Sequence, residues 1–251
     1  MPGLRYILLL ALLCICASST PSSAAQPQIF AAPDQQSMPI LKQAADAYDA
    51  KDYAKVRQVL KPLVDKNDGY ATFAMGLMAA RGEGETRSLK KAESWWKKSA
   101  DVGNPQAQFN LGYLYFKGAL GAQDLAKARS LWNKAAQQKH PDALYGMGVL
   151  SANGGGGPKD TKAAARYFEG AAGMGHPLAQ YELGLAYLEG KGVQKSSQKA
   201  REWFSKAAES GMPEAKNVLQ AMDKSQQNAK QNAKKQPAKK TTGANKKPSG
   251  S

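Results

Sequence analysis

Apolar and polar positions along this chain recur with a fixed step of 36 residues. Pro177 falls on Pro141 and Pro105. Gly184 falls on Gly148, Gly112 and Gly76, and Gly190 on Gly154, Gly118 and Gly82. Phe204 falls on Phe168, Trp132 and Trp96, Ala200 on Ala164, Ala128 and Ala92, and Ala208 on Ala172, Ala136 and Ala100. A strict period of this length predicts an array of stacked units, each burying its apolar face on its neighbours.

Within a unit the pattern predicts two helices. The first runs from Pro105 to about Lys117, with Asn104 as N-cap, Pro at the first helical position and Gly118 at the end, where a left-handed residue is favoured. After a loop the second starts near Asp124 or Asp160 and places Ala128, Leu131, Trp132 and Ala135 on one face. Gly112 and its equivalents sit in the middle of the first helix, where glycine costs roughly 0.5–1 kcal/mol against alanine. Four such costs imply close approach of the second helix, through the small Ala128 and Ala136 columns. Residues 40–68 form a shortened first unit, with Val56, Leu60 and Val64 in the columns of Ala92, Trp96 and Ala100 and almost no loop. Full repeats follow at 69–104, 105–140, 141–176 and 177–212. Residues 213–223 read as a lone capping helix using Ala215, Val218 and Leu219.

Repeat four carries Ala179, Leu183, Gly184, Tyr187, Gly190, Gly192 and Val193, then Lys199, Ala200, Trp203, Phe204, Ala207, Ala208 and Gly211. In these residues the chain resembles the Sel-1-like repeat, a relative of the tetratricopeptide repeat with a longer loop between its helices. The resemblance covers about Leu41 to Met222. The departures are Leu120 for the second loop glycine, Lys139 for the closing glycine and Gly157 for the valine. It implies an all-α, right-handed α-solenoid of stacked helix pairs. It also implies an adaptor role in protein complexes, with no catalysis. Some secreted relatives are linked to β-lactam binding. They carry a cysteine pair in each repeat, which the mature chain lacks.

Residues 1–25 read as a secretory signal peptide: Arg5, the short apolar run Tyr6–Ala17, and small residues Ser23, Ala24 and Ala25 before a cut ahead of Gln26. A cut after Ser19 is the alternative site, and an uncleaved anchor the alternative reading. Leu13 and Ile15 before the two cysteines argue against a lipoprotein. Both cysteines, Cys14 and Cys16, leave with the peptide, so the mature protein has no disulfide and no thiol chemistry. No Asn-x-Ser/Thr site occurs, which favours a bacterial periplasm, with secretion as the alternative. Residues 26–39 read as a disordered lead-in.

Net charge is +15, which invites a nucleic-acid reading. Residues 224–251, however, hold eight lysines, no acid and no aromatic, and read as a disordered tail. Without those eight charges and Arg5, +15 becomes +6. The tail is either a solubilising extension or a weak contact for anionic envelope polymers or lipid headgroups. It lacks the arginines and aromatics of a nucleic-acid segment.

No motif for catalysis, metal or cofactor stands out. His140 and His176, one period apart, read as turn residues at a helix C-terminus, where a basic group suits the dipole. Gly154–Gly157 lacks the Lys-Ser/Thr and the preceding strand of a phosphate loop. The Trp95/Trp96, Trp132, Tyr167/Phe168 and Trp203/Phe204 series is core spacing. Binding is expected instead on the first helices. The column Phe73, Phe109, Tyr145, Tyr181 is always aromatic and so structural. Three other columns vary and share one helical face, four and seven residues apart. They supply the candidate partner-binding residues Gln106, Asn110, Lys117, Asp142, Asn153, Leu178, Glu182 and Glu189. Either this face lines the concave, partner-binding side of the solenoid, or its side chains are merely solvated.

Overall fold

Eleven helices and no strand occur among the described residues, 31–235 of this computed structural model. The first ten have thirteen residues each: α1 Ser37–Asp49, α2 Tyr53–Asp65, α3 Gly69–Arg81, α4 Leu89–Asp101, α5 Pro105–Lys117, α6 Leu125–Gln137, α7 Pro141–Asn153, α8 Thr161–Gly173, α9 Pro177–Glu189 and α10 Ser197–Glu209. The longer α11, Pro213–Lys235, follows. Helices adjacent in sequence pack on one another throughout, so the architecture is an all-α solenoid of stacked pairs.

Local chemistry sets the helix boundaries. Every helix from α2 to α10 begins with a side-chain cap: Asp52, Asp68, Ser88, Asn104, Asp124, His140, Asp160, His176 and Ser196 each accept from a backbone N–H of the first turn. The first helices of the full repeats stop at glycines in the left-handed region, as at Gly118 with φ 62°.

Two boundaries differ from the sequence expectation. Helix α1 starts at Ser37, inside the stretch read as a lead-in, with the Asp34 carboxylate accepting from the Ser37 N–H at 2.6 Å. Helix α11 runs twelve residues past Asp223 into the lysine-rich segment. That stretch lacks an apolar face but also lacks glycine, proline and β-branched residues, so nothing in it breaks the helix as far as Lys235. The signal-peptide reading and the rest of the tail lie outside the described residues.

The mid-helix glycines have a different cause from the one expected. A Cβ on Gly112 would lie 2.6 Å from the Trp132 indole, and one on Gly184 2.7 Å from the Phe204 ring. Gly76 and Gly148 meet Trp96 and Phe168 in the same way. The aromatic of the second helix therefore fills the missing side chain's space, and the alanine columns are secondary. Those rings are the core of each unit: Trp96, Trp132, Phe168 and Phe204 are all buried, each against the aromatic column of its own first helix.

Loops clasp the unit before them. Arg57 of α2 donates to the Glu83 and Gly84 carbonyls of the repeat-one loop, and Arg129 of α6 donates to Gly155 of the repeat-three loop. A Cβ on Gly156 or Gly192 would run into the Leu125 or Thr161 carbonyl at the start of the preceding second helix. Repeat two departs from this. Glu93 stands in the arginine column and instead accepts from Tyr115 Oη, while Leu120 stands for the glycine.

Candidate functional site

The face expected to bind lies along α5, α7 and α9. In repeat two, Gln106 and Asn110 are half-buried and Lys117 is exposed, its Nζ over the Tyr113 and Phe116 rings. In repeat three, Asp142 and Asn153 are exposed. In repeat four, Leu178 is 45% exposed, Glu189 is exposed and Glu182 is half-buried. One of the three columns is not simply solvated: Ala74 and Gly146, which share it with Asn110 and Glu182, are buried. Gly146 lies under the Trp132 ring, so this column faces the second helix of the preceding unit. A fourth column, Leu77, Tyr113, Val149 and Leu185, belongs to the same face and is absent from the sequence reading. It lies three residues beyond Asn110 and Glu182, which is helical spacing, and Tyr113 in it is 39% exposed.

Three of the eight candidates meet in one place. Asn153, Glu182 and Glu189 line a cavity of about 330 Å³ between repeats three and four. Phe168, Leu185, Ala164 and Ala186 give it apolar lining, and Lys159, Thr161 and Lys191 also border it. Burial pushes the Glu182 carboxyl up from the ordinary carboxylate range, the nearby Glu189 charge adds to this, and Lys191 opposes it. Lys191 itself is ion-paired with Glu189 at 2.5 Å. The other five candidates lie elsewhere along the face.

The cavity has a structural origin. In the preceding joint the Trp132 ring extends over Gly146, with ring carbons 2.7 and 2.8 Å from where a Cβ would be. In this joint the shorter Phe168 replaces tryptophan and Glu182 replaces glycine. The ring that closes one joint does not close the next.

The histidines are placed differently from the expectation. They are N-caps, not C-terminal partners of a dipole. His140 Nδ1 accepts from Ala143 N–H at 3.3 Å and His176 Nδ1 from Ala179 N–H at 3.2 Å. An N-cap must accept, and a protonated Nδ1 cannot, so the neutral ring is required. Burial accordingly pulls the His140 pKa down. His176 Nε2 faces Asp142 Oδ1 at 3.3 Å, and that hydrogen bond holds the Asp142 carboxyl below its usual range. The rings stack on Phe109 and Tyr145 at 5.0 and 4.7 Å. Among the described residues no group of three or more His, Cys, Asp or Glu is arranged to hold a metal ion, and no helix is long and apolar enough to cross a membrane.

A second, more open cleft of about 630 Å³ lies at the repeat-two loop, lined by Glu93, Tyr115, Leu120, Asp124 and Lys127. Its polar groups already satisfy one another, Tyr115 with Glu93 and Lys127 with Asp124.

Comparison with known proteins agrees with this architecture. The family model described as the Sel1 repeat matches residues 69–104, 105–140, 141–176 and 177–212. The crystal structure of a Sel1 repeat protein from Oxalobacter formigenes is similar at 32% identity and a TM-score of 0.66, over 70% of this chain and 72% of that one. A protective antigen present in uropathogenic Escherichia coli strains, displaying an SLR fold, is similar at 33% identity and a TM-score of 0.63, over 66% of this chain and 35% of that one. No curated protein matches the chain.

Proposed function

The chain belongs to the Sel1 repeat family, and from that premise we propose that it is an exported, non-catalytic adaptor holding a protein or peptide partner along its first-helix face. Proteins of this repeat fold generally serve as scaffolds for protein interactions. The observation that carries the reading is the contrast between layers of the same helices. The aromatic column is fixed by core packing, while the neighbouring face carries Gln106, Asn110, Tyr113 and Lys117 in one repeat and Leu178, Glu182, Leu185 and Glu189 in another. A face that differs from repeat to repeat over an unchanging core suits recognition of an extended, non-repetitive segment. Export to the periplasm rests on the leader-like residues 1–25, and the E. coli neighbour's being a protective antigen supports it.

Partner capture by the full chain tests this. Changing Asn110, Lys117, Asn153 and Glu182 together to Ala is expected to abolish specific capture while leaving helicity intact. Deleting residues 236–251, beyond α11, should remove only a salt-sensitive background, because exposed charges act over about 8 Å at physiological salt. If the tail deletion abolishes specific capture and the four-residue variant binds normally, the protein is held instead by anionic envelope polymers through its lysines.

A further inference from the structure

We propose that the cavity between repeats three and four is a specificity pocket for a single basic side chain, an arginine or lysine of the bound partner. This rests on the partner-binding reading above and names the residue the face selects at one point. The cavity combines two features that no single class of neutral guest satisfies. Phe168, Leu185, Ala164 and Ala186 offer apolar surface for a methylene stem. Glu182 offers a carboxylate, half-buried against that surface, that makes no hydrogen bond or ion pair among the described residues. Lys191 is committed to Glu189, and the exposed Lys159 at the mouth pairs with neither glutamate.

The choice among guests follows from charge. An acidic side chain would bring a third carboxylate beside Glu182 and Glu189, with only the exposed, solvated Lys159 to meet it. An apolar one would bury the Glu182 carboxylate further with nothing to offset its desolvation. A basic side chain lays its stem on Phe168 and Leu185 and its charge on Glu182, where the charge-assisted hydrogen bond forms in a partly desolvated setting. Arginine also stacks on the Phe168 ring. The other joints cannot do this, because Gly146 lies under Trp132 and the equivalent residues Ala74, Asn110 and Val218 carry no charge.

The test titrates acetyl-arginine methylamide into the full chain and follows the Leu185 methyl resonances, with the norleucine and glutamate counterparts as comparisons. The expected result is a saturable shift with the arginine compound alone. Glu182→Gln, of the same shape, should weaken it about tenfold, the size of one lost hydrogen bond to a charged group. Phe168→Trp, a ring already used at this position in repeats one and two, should fill the pocket and remove the shift. The proposal is overturned if no saturable shift occurs, if norleucine matches arginine, or if Glu182→Gln binds arginine as well as the native chain. Partner capture reads the adaptor reading separately: a face that captures its partner while Leu185 ignores arginine removes the pocket assignment alone.

Discussion

The joint between repeats two and three and the joint between repeats three and four are built from the same columns, yet one is sealed and the other open. In the first, Trp132 is 3% exposed, covers Gly146 and donates its indole N–H to the Phe109 carbonyl at 3.0 Å. In the second, Phe168 has no such donor, and Glu182 borders a cavity where glycine met tryptophan. Both rings are buried, and in both joints a histidine cap stacks on the first-helix aromatic that the ring packs against, His140 on Phe109 and His176 on Tyr145. The difference teaches that a repeat core tolerates a ring-size change when the partner column changes with it. The space so released lies on the variable face.

The sharpest way to break the contrast is to remove its ring. Trp132→Ala should cost roughly 3–5 kcal/mol, the usual range for a large aromatic deleted from a core, read as a shift in the urea midpoint. A loss below about 1 kcal/mol would mean the ring does not seal the joint. Next comes one substitution made at equivalent positions in the two joints. Gly146→Ala forces a Cβ into Trp132 and should cost about 1–3 kcal/mol by overpacking. Glu182→Ala removes a half-buried carboxylate from an open cavity and should stay within about 0.5 kcal/mol, or stabilise. Equal losses at the two sites would contradict the sealed and open assignment.

The smallest effect is one of pH, and its sign differs between the joints. The His140 pKa is lowered in the folded state, so its contribution is complete above the unfolded value near 6.5 and is lost as pH falls below it. Glu182 is raised in the folded state, so its contribution is present at low pH and is lost as pH rises through the folded value. Asp142, which raises the His140 value, and His176, which lowers it, act on the same cap. Urea midpoints should therefore fall on acidification below about pH 6.5. His140→Asn, the cap that repeat two uses at Asn104, should flatten that fall. A midpoint that does not move between neutral and mildly acidic pH would show the cap tolerates protonation.

Much of this was legible in the sequence, because the period of 36 is carried by residues whose physical roles differ. Proline and glycine mark where first helices start and stop, and the aromatic and alanine columns mark the core. The histidine caps were legible too, had the column Asp68, Asn104, His140, His176 been followed, since its first two members are ordinary N-caps. The length of α11 was not, because composition signals the want of a core and says little about helix continuation. The variation along the first-helix face is written in the sequence, but the cavity beside it is not. That cavity depends on how far a phenylalanine ring reaches compared with a tryptophan ring, a distance that no one-dimensional pattern contains.

The clasps all point one way, from a later unit's loop onto the start of an earlier unit's second helix. Cohesion along the array is therefore polar. Losing a unit from the C-terminal end strips the cover from its predecessor, whereas losing one from the N-terminal end strips no such cover from the units that remain. At the last repeat, which has no successor, Arg201 turns instead to Asp223 of α11. Helix α11 is thus a latch on an array that would otherwise unravel backwards, unit by unit. Ala165 leaves the seam between repeats three and four without an arginine as well, but Gly192 still closes on Thr161 there. The seam between repeats one and two, where Glu93 and Leu120 replace both the arginine and the loop glycine, is where such unravelling would have its last easy step.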